Sequence, residues 1–284
     1  MMTMKELKIT ALVLVVAGLL ASCQSKPVSG GGEMNDSTVS AVDALAFDSV
    51  VVKRYVPLYD DRTTTPYYEV DVRLLYAKGD GPVARRINDS LMAARLFDVI
   101  EEHSPVMPTV QATVDTFAAR YERAWRSDIR DAEFNPDSVP DFVCYTFSLR
   151  TWTEPAGKDR LAYLAFTEMY QGGAHGSYYL NVFNFDRRTG QLLTLDDVLK
   201  PGYEKPLLRL IMNQLAKDAE LKDDSLSTLR EAGFFWEMEP ALPTVFQLKS
   251  DGISFTYNVY DIAPYALGAI SVDLTNAQLR EWLK

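Results

Sequence analysis

The clearest alternation in the chain runs from Tyr68 to Tyr76. Tyr68, Val70, Val72, Leu74 and Tyr76 fall on one side, and Glu69, Asp71 and Arg73 on the other. Period two over this length predicts a strand with one buried face. Upstream, Val50 to Val56 is β-branched and aromatic and predicts a strand that starts the folded part near Phe47. The turn Lys78 to Gly81 ends the second strand, and Pro82 takes a favourable first helical position. Val83, Ile87, Leu91 and Ala94 then recur at helical spacing, as do Val110, Val114, Phe117, Tyr121 and Trp125. Both stripes predict helices with one face turned to a core.

After Asn135-Pro136 the period returns to two, with Val143, Tyr145, Phe147 and Leu149 on one face. Leu161 to Tyr170 follows the turn Glu154 to Gly157, and Tyr178 to Asp186 follows the loop Gly172-Gly-Ala-His-Gly176. Three strands with short connections predict an antiparallel meander. Thr194-Leu-Asp-Asp197 is a capping box, which gives its acids a structural task at a helix start. A helix with Leu207, Leu208, Ile211 and Leu215 comes next, then a short helix that stops at Gly233. Strands return around 245–248, 253–260 and 270–274, and a short helix over 276–283 closes the chain. The expected fold class is α+β, with antiparallel sheets, helices packed on one face and two sequential subdomains.

The N-terminus follows a different logic. Lys5 and Lys8 precede an apolar stretch from Ile9 to Leu20, and Leu20-Ala-Ser-Cys23 follows at once. The stretch is well short of the ~20 residues that a spanning helix needs. This pattern predicts a lipoprotein signal peptide over 1–22, with Cys23 as the lipidated residue and new N-terminus. Two or three acyl chains there would hold the protein firmly on a membrane. Residues 23–46 are rich in Ser, Gly and small side chains and predict a flexible leash. The expected location is the periplasmic face of the cell envelope, on either membrane.

Composition narrows the partners. The chain carries −10 overall, and loss of Lys5, Lys8 and Glu6 with the signal peptide makes it −11. Such a surface repels nucleic acid and attracts a basic partner by long-range steering. With Cys23 lipidated, Cys144 is the one remaining thiol, so stability must come from an ordinary core, for which an apolar content of 47% suffices. Cys144 alternates with Thr146 and Ser148 and is expected to be a small buried filler. His103 and His175 are the two histidines, and no spacing of Cys, His or carboxylates predicts a metal site or a cofactor. No nucleophile elbow, phosphate loop or calcium loop is present. No catalytic residue is therefore assigned.

His175, between glycines, either contacts a ligand or acts as a base, or else it hydrogen-bonds its own loop while the glycines supply positive φ or close strand approach. Asp261-Ile-Ala-Pro-Tyr265 must break its strand at Pro264. Tyrosines beside a glycine loop offer faces on which sugar rings stack, so Tyr170, His175, Tyr178 and Tyr265 form the expected ligand contacts.

Several strings carry a family resemblance. They are Gly172 to Gly176, Tyr179 to Gly190, Leu193 to Leu199, Asp251-Gly-Ile-Ser-Phe255 and Tyr260-Asp-Ile-Ala-Pro-Tyr265. In this order, over 170–284, they resemble the C-terminal extracytoplasmic domain of RsiV-like anti-sigma factors, a domain also found in many lipoproteins. Residues 47–165, with Ile87-Asn88, resemble the domain that precedes it in PdaC-like peptidoglycan deacetylases. The resemblance implies domains at 47–165 and 166–284 and an envelope-facing recognition function. The partner it implies is a lysozyme-like basic protein or a peptidoglycan-type glycan. The anti-sigma activity needs a cytoplasmic segment that a cleaved lipobox would remove, and the deacetylase activity needs a metal domain that this sequence lacks. The alternatives to non-catalytic binding are a peptidoglycan-modifying enzyme with His175 as base and a structural partner in an envelope assembly.

Overall fold

The computed structural model describes residues 45–60, 65–99, 105, 107–135, 138–140 and 142–284. The signal peptide, Cys23 and nearly all of the leash lie outside the described residues. Strands β1 (Phe47–Pro57) and β2 (Tyr67–Ala77) pair antiparallel, from Phe47 with Ala77 to Pro57 with Tyr67. Helices α1 (Pro82–Ala93) and α2 (Val110–Asp131) follow. The chain then returns in β3 (Tyr145–Pro155), which pairs with β2 in parallel. A parallel return needs a long crossover, and the two helices supply it. Among the described residues this is the one parallel pairing, and the other ladders are antiparallel. Strands β4 (Arg160–Gln171), β5 (Ser177–Asp186) and the two-residue β6 (Leu192–Leu193) complete a sheet of order β1-β2-β3-β4-β5-β6.

The helical stripes pack where their spacing predicts. Val114, Phe117, Tyr121 and Trp125 of α2 are buried against Tyr68 and Phe147 of the sheet. The Phe117 and Phe147 rings meet edge-on at 4.6 Å, and Tyr68 lies 5.8 Å from Tyr121. The polar ends of two of its rings have partners: Tyr68 Oη donates to Ala118 O at 2.5 Å, and Trp125 Nε1 donates to Val143 O at 2.9 Å. Burying each large ring contributes about 1.5–3 kcal/mol, and satisfied hydroxyl and indole groups avoid the penalty of burial without a partner. Cys144 is buried, as expected of a small filler.

The second layer runs from the short helix α3 (Leu195–Val198) through α4 (Glu204–Asp218) and α5 (Leu226–Glu231). A three-stranded antiparallel sheet follows: β7 (Val245–Leu248), β8 (Gly252–Tyr257) and β9 (Ile270–Thr275). Helix α6 (Asn276–Leu279) ends it. The capping box at α3 is present, and hydrogen bonds from the Thr194 amide and hydroxyl hold the Asp197 carboxyl below the usual carboxylate range. Leu207, Ile211 and Leu215 of α4 bury against Phe255, Val272 and Leu274.

The division expected between residues 165 and 166 falls inside β4, which is hydrogen-bonded to β3 on one side and β5 on the other. The strands on either side of that point share one sheet and one core, with Tyr163, Ala165 and Phe185 packed in the same cluster as Tyr68 and Trp125. Leu45–Lys284 is accordingly one compact unit.

Two asparagines join the layers. Asn184 of β5, 1% exposed, donates from Nδ2 to Phe246 O and accepts from Leu248 N, both at 2.8 Å. Asn258, just past β8, accepts from Leu180 N at 2.7 Å and donates to Leu180 O at 3.0 Å. Each carboxamide thus stands in for the edge of a neighbouring strand. Asn88 of α1 makes the same pair of bonds to Ala77 at the end of β2. Replacing Asn184 by Leu leaves a buried N–H and a buried C=O without partners. The expected loss is about 2–4 kcal/mol, seen as a lower urea midpoint with unchanged slope; a loss below about 1 kcal/mol would show that β7 is held by other means.

Candidate functional site

The loop between β4 and β5 is shaped by its glycines. Gly172 and Gly173 have φ of +82° and +88°, which only glycine adopts without strain. At Gly176 a Cβ would stand 2.8 Å from Met169 O, so the two backbones approach too closely for a side chain. Both roles expected of these glycines are realised, and together they lift His175 out of the sheet. Its Nδ1 is 2.8 Å from Gly176 O. A carbonyl can only accept, so Nδ1 carries the hydrogen and Nε2 is left as an acceptor for Tyr260 Oη at 3.3 Å.

The other half comes from the loop after β8. Asn258 to Asp261 form a tight turn, closed by Asp261 N donating to Asn258 O and by Asn258 N donating to the Asp261 carboxylate. Tyr260 sits third in this turn at φ +69°, a position that favours glycine, and its side chain is 60% exposed. Pro264 ends the segment, and the 3-10 turn Tyr265–Leu267 follows.

Four rings meet there. His175 stacks on Tyr265 with centroids 4.2 Å apart and planes 22° from parallel. Tyr260 lies 5.5 Å from Tyr265, and Tyr178 meets Tyr265 edge-on at 6.0 Å. Tyr178 Oη accepts from Ala269 N at 3.3 Å, which ties β5 to the far end of the same loop. The neighbouring Tyr179 points to the opposite face, where burial pushes its hydroxyl up. Of the expected contacts, His175, Tyr178 and Tyr265 thus come together. Tyr170 stands apart: its hydroxyl donates toward Phe142 O at 3.1 Å and Gly173 O at 2.9 Å, bracing the loop from below. Tyr260 is the member absent from the expected set. Nothing in its local sequence marks the left-handed turn that displays it, beyond its place before Asp261.

The cluster sets the exposed Tyr260 ring and His175 beside the half-buried rings of Tyr178 and Tyr265, with three phenolic hydroxyls among them. That arrangement suits the apolar C–H face of a sugar ring, whose hydroxyls need donors and acceptors at the rim. Among the described residues no group of three His, Cys, Asp or Glu side chains is placed to hold a metal ion.

A non-glycine residue held at positive φ costs of order 1–3 kcal/mol. Tyr260→Gly is therefore expected to keep or raise the unfolding midpoint although it deletes a ring. Gly176→Ala is expected to lower stability by about 1–3 kcal/mol. A loss above about 1 kcal/mol for Tyr260→Gly would mean that the ring itself holds the fold. Urea unfolding of both variants makes the comparison.

Residues 196–277, from within α3 to the start of α6, match DUF3298, a protein family of unknown function. Over 117 residues the chain is 28% identical to the peptidoglycan-N-acetylmuramic acid deacetylase PdaC of Bacillus subtilis (strain 168), covering 40% of this chain and 24% of that protein. The chain thus spans about a quarter of the length of the curated relative it matches. A crystal structure of a DUF3298 family member from Bacteroides fragilis is 27% identical, with a TM-score of 0.72 over 85% of this chain and 94% of that one. A second, from Pseudomonas aeruginosa, is 18% identical, with a TM-score of 0.58 over 86% of this chain and 96% of that one, and shares the fold. The layer that carries Tyr260 and Tyr265 is the part of the chain that matches DUF3298.

Proposed function

We propose that this chain is a lipoprotein tethered through Cys23 to the periplasmic face of the envelope, and that its α+β body binds a peptidoglycan-type glycan without chemistry on it. The observation that carries this reading is the cluster in which exposed His175 and Tyr260 meet half-buried Tyr178 and Tyr265, with Tyr260 displayed by a strained turn. Strain of this kind collects at ligand sites, where display matters more than local stability. The similarity to a protein named as a peptidoglycan deacetylase supports a glycan of that class. RsiV-like domains suggest lysozyme as a second partner, and the formal charge of −10 favours any basic protein.

The Tyr260 hydroxyl facing His175 Nε2 favours one other reading, in which His175 serves as a base on the same glycan. A chain from Leu45 to Lys284 separates these. Calorimetric titration with a muropeptide digest is expected to show binding that Tyr265→Ala weakens at least about fivefold, the loss of roughly 1 kcal/mol that an aromatic contact contributes. Absence of binding to both the digest and lysozyme at low salt would remove the recognition reading. Release of acetate or of reducing ends by the wild type, lost in His175→Ala, would replace it with catalysis.

A further inference from the structure

The ladder registers define the outer face of the six-stranded sheet, opposite α1 and α2. Paired residues on neighbouring strands share a face. Val51 pairs with Arg73, Arg73 with Arg150, Arg150 with Phe166 and Phe166 with Leu180, so these five form one row across β1 to β5. Its two charges are both positive and directly adjacent. Strands in a sheet run ~4.8 Å apart, so the two guanidinium groups start from neighbouring backbone positions and repel.

Among the described residues the pair is only partly neutralised, by one long ion pair. Arg73 is exposed and makes no ion pair among the described residues. Arg150, with its side chain 66% exposed, lies 3.8 Å from Asp71, but Lys53 already holds the same oxygen at 3.0 Å. Glu168 also faces this side, one row away and paired with Tyr178, and Glu69 lies two rows away toward Tyr55. In a chain of net charge −10, two adjacent arginines on an open sheet are a local exception that costs stability and fits a bidentate anion.

The row leads straight to the ring cluster. Phe166 follows Arg150 in register, and its ring lies 6.0 Å from Tyr178, which in turn meets Tyr265. The backbones at Arg150 and Tyr178 are two strands and two residues apart, about 12 Å. A two-ring saccharide stacked on the cluster reaches across that distance.

Resting on the glycan reading above, we infer that Arg73 and Arg150 form the anion subsite of an extended site, and that the ligand is a saccharide bearing a carboxylate one ring away from the sugar stacked on Tyr265. The site thereby selects acidic over neutral amino sugars of the same ring structure.

The test compares two disaccharides by calorimetry on Leu45–Lys284: N-acetylglucosaminyl-N-acetylmuramic acid, which carries a lactyl carboxylate, and di-N-acetylchitobiose, which does not. The acidic one is expected to bind about tenfold more tightly at low salt, the scale of one good charge-assisted contact. That preference is expected to shrink in high salt and to vanish in Arg73→Gln/Arg150→Gln, while Tyr265→Ala weakens both sugars. Both arginines are exposed, and a melting midpoint that is kept or raised in the double variant confirms that its fold is intact. Equal binding of the two sugars, with Tyr265→Ala still harmful, overturns the anion subsite and leaves the stacking site standing. A preference that survives in the double variant also overturns it. Failure of both sugars to bind removes the stacking site and the anion subsite together.

Discussion

Two carboxamides, one buried and one half-buried, decide how the layers of this protein meet. β5 has a full partner in β4 on one edge, but β6 covers only Asn184 and Phe185 on the other. Asn184 binds the β7 backbone, and Asn258 takes up the backbone groups of Leu180. A hydrophobic interface alone would tolerate sliding between two sheets. A carboxamide that must satisfy one N–H and one C=O at once admits a single register, because any other leaves buried polar groups unpaired. The loop from Asn258 to Ala269 starts at one of these bonds and ends at the Tyr178 hydroxyl.

The ring cluster depends on that anchoring. His175 comes from the glycine loop of the first sheet, and Tyr260 and Tyr265 from the second layer, so neither layer alone makes the stack. Asp261 closes the turn that forces Tyr260 to positive φ, and the clasp of Asn258 on Leu180 fixes that turn above β5. The result is a cluster of exposed and half-buried rings beside a sheet face that carries an adjacent arginine pair. The surface as a whole is acidic, which acts over a Debye length, whereas the arginine pair acts at contact distance.

Much of the fold was legible because it follows from two periods. The stripe Val114, Phe117, Tyr121, Trp125 has helical spacing and is buried in a helix, and the alternation from Tyr68 to Leu74 is buried in a strand. The glycines of 172–176 were legible as a loop because positive φ and close backbone approach leave few other residues. His175, Tyr178 and Tyr265 were legible as aromatic or imidazole groups beside turns. The parallel pairing of β2 with β3 was not, since alternation shows which face is buried and says nothing of strand direction. The continuity of the first sheet through β4 was hidden for a related reason: a strand paired on both edges has the same local sequence as one that ends a domain. Tyr260 was missed because its display comes from a turn closed by Asp261 and from ring partners far along the chain.

The amino-acid sequence by itself determined the α+β class, the element positions and the residue types available for recognition, because propensity, periodicity and turn chemistry act over a few neighbouring residues. Tertiary structure decided which of those residues come together in one cluster. Tyr260 and Tyr265 reach His175 and Tyr178 across more than eighty residues of chain, and Arg73 meets Arg150 through a parallel crossover. Such meetings are set by sheet register and by the two asparagine clasps, which are long-range bonds with no local signature in the sequence.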